Sequence, residues 1–264
     1  MRIVAWNIRA GGGRRIEAIA DQLRRWRPDV VALSEFRGTP PSAWLADELA
    51  SQGLAFQRTT ADANAAATNA LLVASRWPVR LGAVRAAPRE PRRWLLARIA
   101  APEPIALGAM HVPNRVTGRK GDYLTSALSL ARRWREGPAL LIGDTNSGRI
   151  GLDEQVRTFD RLEDGWIRDL DRAGWADAFR VLHGERRAYT WYSPNGGNGF
   201  RLDQAFVNQP LRARLAATRY AWGKPRGERS ARRESLSDHA ALIVDFAPPR
   251  PTTPDDSAAA AVPR

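Results

Sequence analysis

Short apolar runs rich in β-branched residues, separated by segments of helical period, constrain this chain more than any other feature. They span residues 3–8, 30–33, 70–75, 105–112, 140–143, 202–207 and 241–246. Each is the length of a buried strand and too short for a helix. Between them, Ile16, Ile19, Leu23 and Trp26 share one helical face while Arg14, Arg15, Asp21, Arg24 and Arg25 lie elsewhere. Leu124, Ala127, Leu128 and Ala131 repeat that spacing after Asp122, which is expected to cap the second helix. Strands alternating with helices predict an α/β fold. The Gly and Pro clusters are short and each sits between two periodic elements, so no linker divides the body. From residue 248 the chain is Pro- and Ala-rich with a single Val to bury. One folded domain over 1–247 and a disordered tail over 248–264 are expected.

The polar residues that carry chemistry fall where the apolar runs end. Asn7 closes the first run, Glu35 follows the second, His111 lies near the end of the fourth, and Asp144 and Asn146 follow LLIG. Asp203 lies within Arg201-Leu202-Asp203, and Asp238-His239 precedes the last run. Packed strands present their ends on shared edges, so groups distant in sequence can converge. With no cysteine in the chain, disulfides, a thiolate nucleophile and a thiolate zinc site are excluded. Any metal must be held by oxygen or imidazole.

Phosphodiester hydrolysis needs the parts on this edge. Glu35 with Asn7 suits a hard cation, Mg²⁺ or alternatively Mn²⁺. Asp144 beside Asn146 suits orientation or deprotonation of the attacking water. His239, if held protonated by a carboxylate such as Asp203, would stabilise the charge of the pentavalent transition state. His111 is the candidate donor to the leaving oxygen. Each residue also has a plainer reading: Asn7 as a turn residue, Glu35 paired with Arg37, Asp144 and Asn146 as an Asx-turn, Asp203 paired with Arg201, and His239 as a core histidine. Of the three histidines, His183 reads as structural or exposed.

Six motifs in order resemble the endonuclease/exonuclease/phosphatase superfamily. They are Trp6-Asn7 in IVAWNIR, Glu35 in VALSEFRG, His111-Val112-Pro113-Asn114, Gly143-Asp144-Thr145-Asn146, Tyr189-Thr190-Trp191 with Arg201-Leu202-Asp203, and Ser237-Asp238-His239. The resemblance implies a four-layer α/β sandwich of two facing mixed β-sheets flanked by helices, with the site at one end of the sheets. It implies Asn7, Glu35 and Asp238 near a metal, Asp144 and Asn146 at water and phosphate, and Asp203 paired with His239. His111 stands where exonuclease III-like members carry Tyr and deoxyribonuclease- or sphingomyelinase-like members carry His. Arg9 stands where many apurinic endonucleases carry Asp or Asn, and Ser34 where a Gln commonly precedes the metal Glu.

Charge bears on the substrate. Lys and Arg number 41 against 28 Asp and Glu, a net +13, which attracts polyanions unless it reflects only an Arg- and Ala-rich coding bias. Trp191, in YTWYSPNGGNGF, could stack on a base, wedge against a sugar, or plug the sheet edge. Arg229, Arg232 and Arg233, with Lys224 and Arg226, form a basic loop leading into Asp238-His239, and together with Asn114 and Arg201 are expected to bind substrate. Arg85, Arg89, Arg92 and Arg93 form a second basic cluster. The expected activity is a metal-dependent nuclease on DNA or RNA. The alternatives are a phosphatase or a lipid or small-molecule phosphodiesterase on the same machinery, or a silent binding module. No apolar signal segment and no run of about 18 apolar residues is present, so a cytoplasmic enzyme without an integral membrane segment is expected; a monomer is expected as well.

Overall fold

The computed structural model describes residues 1–85, 87–224 and 235–248. In chain order the elements begin with β1 (Arg2–Asn7), α1 (Ile16–Trp26), β2 (Val30–Phe36), α2 (Pro40–Ser51), β3 (Phe56–Thr59), β4 (Ala70–Ser75), β5 (Val79–Leu81), β6 (Trp94–Ile99) and β7 (Ile105–His111). There follow α3 (Lys120–Arg133), β8 (Ala139–Asp144), α4 (Arg161–Arg172), β9 (Trp175–Asp177), α5 (Ala178–His183), β10 (Trp191–Tyr192) and β11 (Gly199–Phe200). The chain continues with β12 (Asp203–Asn208), α6 (Gln209–Arg212), β13 (Leu215–Ala221) and β14 (Ala241–Phe246).

Two six-stranded mixed sheets form, in the orders β13-β14-β1-β2-β4-β3 and β5-β6-β7-β8-β12-β9. Each has a parallel pair at its centre, β1 with β2 and β7 with β8, flanked by antiparallel strands. Alternate side chains of each strand point to opposite faces. Ile3, Ala5, Val30 and Ala32 from the first sheet meet Leu107, Ala109, Leu140 and Ile142 from the second in the central core. The intervening Val4, Trp6, Val31 and Leu33 pack outward on Ile19 and Leu23 of α1 and Leu45 and Leu49 of α2. Met110, Leu141 and Phe206 pack outward on Leu124 and Ala127 of α3 and Trp166 and Leu170 of α4. Helix, sheet, sheet and helix are the four layers. Burial of the strands on both faces explains their continuous apolar runs.

Asp122 does not cap α3. The helix begins at Lys120 after Arg119, and Asp122 lies in its first turn, where a carboxylate favours the helix dipole without accepting a capping bond. The residues expected to form a disordered tail lie, from 249 onward, outside the described residues. Among the described residues no helix is long and apolar enough to cross a membrane.

Candidate active site

One half of the site is built by the first sheet. Asn7, at the end of β1, lies level with Ser34 of β2. Between Ser34 and Phe36 the pairing of β2 with β4 shifts by one residue, and Glu35 at the shift has φ 57°. Such a bulge re-aims a side chain at the cost of backbone strain. Here it aims the Glu35 carboxylate at the site: Oε2 accepts from the Ala10 amide at 2.8 Å and Oε1 from Asn7 Nδ2 at 3.2 Å. The loop that wraps it, Arg9 to Gly13, has positive φ at all five residues. Glu35 makes no pair with Arg37, whose guanidinium donates to Asn69 instead.

The other half comes from three adjacent strands of the second sheet. His111 of β7 is level with Asp144 of β8, and Asp144 is level with Asp203 of β12. β7 and β8 approach closely at Gly143, where φ is 142° and an added Cβ would lie 2.0 Å from the Met110 carbonyl oxygen. Only glycine fits there. Asn146, at φ 44°, donates its amide N–H to Asp144 Oδ1 at 3.0 Å and its Nδ2 to the Val112 carbonyl at 2.9 Å.

Across the seam the halves are hydrogen-bonded to each other. Asn7 Nδ2 also donates to Asp144 Oδ2 at 3.0 Å, and His239 Nδ1 lies 2.9 Å from Asp203 Oδ2. The Ser237-Asp238-His239 turn is anchored by Ser237 Oγ to the Asn7 carbonyl at 2.6 Å and by Trp6 Nε1 to the His239 carbonyl at 2.9 Å. Asp144 Oδ2 therefore sits between two imidazoles, 3.7 Å from His111 Nε2 and 3.9 Å from His239 Nε2.

The model of the Endonuclease/Exonuclease/phosphatase family matches residues 4–239. The chain belongs to that family. No curated protein sequence matches it. Its fold is shared with an AP endonuclease from Archaeoglobus fulgidus, at a TM-score of 0.75 and 18% identity over 93% of this chain and 99% of that one. It is shared equally with the 3′ phosphatase NExo from Neisseria bound to product DNA hairpin, at 0.73 and 22% over 93% and 99%. The 3′-5′ exonuclease NExo from Neisseria meningitidis gives 0.73 and 22% over 94% and 100%.

Within this family member the two histidines are driven apart in protonation. Burial opposes charge on both. At His239 it is outweighed by Asp203, Asp144 and Asp238, which raise the imidazole to about 10. At His111 burial prevails, aided by Arg93 and His239, and the imidazole is lowered. Burial also raises Asp144, against the pull of the two imidazoles. Glu35 goes the other way: burial is offset by the Ala10 amide, His111, the Asn7 amide and His239, which together lower it.

Among the described residues no group of three or more His, Asp or Glu side chains is placed to hold a metal ion, so no all-protein cage stands there. The donor chemistry fits a hard cation that keeps most of its waters and takes one or two carboxylates with substrate oxygens. Glu35 supplies an ionised carboxylate of that kind. Asn7 has its Oδ1 engaged by the Arg9 amide at 3.0 Å and holds Glu35 through its NH₂.

The remaining expected residues divide. Asn114 is exposed at the mouth of a pocket of about 220 Å³, lined also by Asn146, Phe159, Trp191, Phe200 and Leu202. Trp191 is half-buried, its ring 5.8 Å from Phe200 and 6.3 Å from His239. Asp238 is exposed at the rim. Arg201 is a correction: it is fully buried, chelating Asp153 at 2.7 and 3.0 Å and Asp177 at 2.5 Å, so it reaches neither the pocket nor Asp203. Arg229, Arg232 and Arg233 lie outside the described residues.

Several supporting residues carried no assigned role in the sequence. Thr190 Oγ1 accepts from the Leu202 and Asp203 amides at 2.9 and 3.2 Å, and its carbonyl accepts from Ala240 at 2.8 Å. Tyr220 donates to the Asp203 carbonyl at 2.9 Å. Lys120, buried, donates to the Asn146 carbonyl and to the buried Glu163. The Tyr189-Thr190-Trp191 motif was the only signal for any of them; a lysine opening a helix ordinarily reads as solvated.

Proposed function

We propose that this protein is a divalent-cation-dependent phosphodiester hydrolase acting on nucleic acid, with DNA as the favoured substrate. The observation that carries the reading is the Asp144 carboxylate set between the His111 and His239 imidazoles and joined through Asn7 to Glu35 across the seam. A cation held by Glu35, oriented by Asn7, would neutralise charge on the scissile phosphate when bound. Asp144, fixed by Asn146, accepts the proton of the attacking water. His239, kept charged by Asp203, faces the negative charge that develops on the phosphoryl oxygens. His111, kept neutral by burial, donates a hydrogen bond to the leaving oxygen, which takes its proton from solvent, while Asp144 returns to solvent the proton it took. Asp238 at the rim positions water rather than binding the cation directly.

Nucleic acid is favoured by the net +13 and by an aromatic pocket beside the site that suits a sugar or a base. A fold neighbour described as bound to a product DNA hairpin supports the same choice. The test is a panel of supercoiled plasmid, linear duplex, single strands, RNA, phosphoinositides and a chromogenic phosphodiester, each with Mg²⁺, with Mn²⁺ and with chelator. Cation-dependent cleavage of the polynucleotides is expected. Turnover confined to phosphoinositides would replace the nuclease reading with a lipid phosphatase.

A further inference from the structure

The second basic cluster of the sequence divides in the fold. Arg92 pairs with Asp62 at 2.9 Å, and Arg93 turns to the catalytic edge, its Nη1 3.5 Å from the His111 carbonyl. Arg85 and Arg89 instead line a groove of about 510 Å³ against the outer side of α3. From α3 the groove takes Asp122, Ser126, Ser129 and Arg133. They follow one another at intervals of four, three and four residues, so they form a single stripe on the helix. The opposite face buries Leu124, Ala127, Leu128 and Ala131.

The charge of the groove is unbalanced. Arg85, Arg89 and Arg133 are exposed and have no acidic partner among the described residues. Glu90 is already taken by Arg119 at 3.2 Å, which leaves Asp122 as the single uncompensated carboxylate of the lining. Ser126 already donates to the Asp122 carbonyl at 2.9 Å, and three unpaired guanidiniums beside the half-exposed Ser129 hydroxyl are the donor set that grips phosphate oxygens.

The groove also leads from the catalytic edge. Arg119 opens it, while the next residue, Lys120, turns into the pocket beside Asn146. Tyr123, on the groove floor, donates to the Arg93 carbonyl at 2.8 Å, and the same carbonyl accepts the His111 amide at 2.9 Å. From Arg119 to Arg133 the helix runs roughly 21 Å, about six nucleotides of one strand of a duplex. A small ester held at Asp144 could not reach the far end.

We propose that this groove is the track for the polynucleotide backbone flanking the scissile phosphate, with Arg85, Arg89 and Arg133 on phosphates and Ser129 donating beside them. The proposal rests on the nucleic-acid reading of the site. Its test compares the wild-type protein with the triple variant R85Q/R89Q/R133Q, whose substitutions are all exposed. For a long duplex, the log–log slope of binding against salt should flatten by roughly 2–3 units and KM should rise several-fold. Cleavage of a duplex too short to leave the site, and of a chromogenic phosphodiester, should keep its kcat. An unchanged salt slope in a variant whose wild-type parent cuts DNA would overturn the track alone. Loss of binding to phosphatidylserine vesicles with DNA binding intact would assign the groove to a membrane surface instead. A wild-type protein that hydrolyses only the small diester would overturn both the track and the nucleic-acid reading.

Discussion

The pairing of His239 with Asp203 decides the protonation of the site. A histidine raised to about 10 by buried carboxylates contributes stability that is complete below its unfolded value near 6.5 and is lost as pH rises through 10. Catalysis that needs the imidazolium should follow the same limb, with the rate holding through neutral pH and falling near 10. Asp144 is raised above the ordinary carboxylate range, so the acid limb should lie above that range too. Asp203→Asn removes the 2.9 Å partner. It should lower the rate by roughly 10²–10⁴ and bring the alkaline limb down toward the ordinary histidine range. A pH–rate profile of the variant checks this, and an alkaline limb that stays in place would mean that His239 is not the charged group facing the phosphoryl oxygens. The plainer reading of Asp203, paired with Arg201, fails for a reason invisible in sequence. Arg201 finds Asp153 and Asp177, 48 and 24 residues away, and closes that pairing without Asp203.

At the level of strands and helices, what could be read was what has a period. β4 and β14 coincide with their apolar runs and α1 with its amphipathic segment, because each is buried on a continuous face. β3 is largely exposed, β13 fully buries only Thr218, and β5 and β9 are three residues long, so little apolar pattern marks them. β6 is interrupted by the polar Arg98 of WLLARI. The meeting of the polar strand ends at one edge was legible for a related reason: strand ends lie on one line, and a polar residue closing an apolar run has few other places to go. The parts that were missed act through backbone atoms. Thr190 serves two amides and Tyr220 a carbonyl, and no residue type announces such a role. Gly143 is the element-scale feature most open to test, since it sets the spacing of the strands that carry His111 and Asp144. Gly143→Ala should cost about 3 kcal/mol by overpacking against the Met110 carbonyl, read as a lower midpoint in denaturant. It should also lower kcat by displacing Asp144 from the imidazoles. A variant of full stability would mean that the β7–β8 approach is looser than the contact requires.

For the whole molecule, the site is the seam between two sheets. The first contributes Asn7 and Glu35 from its strands and His239 beside them; the second contributes His111, Asp144 and Asp203. The Asn7–Asp144 and His239–Asp203 hydrogen bonds and that of Tyr220 to the Asp203 carbonyl tie these groups across it, and three carboxylates face one another with one imidazolium to balance them. A cation on Glu35 would relieve that excess, so its binding should stabilise the entire sandwich and not only enable the reaction. At a free concentration about 100-fold above Kd the gain is roughly 2.7 kcal/mol, which for a domain of this size raises Tm by about 5–10 °C. Thermal unfolding in Mg²⁺ against chelator measures it without any substrate. Glu35→Gln removes the charge while keeping the shape, so it should abolish the Mg²⁺-dependent rise, and its Tm in chelator should lie somewhat below the wild-type value, because the Ala10 amide, the two imidazoles and Asn7 favour the charged carboxylate. Chelation should abolish wild-type turnover reversibly. A Glu35→Gln protein whose Tm still climbs with Mg²⁺ as the wild type does would place the cation elsewhere.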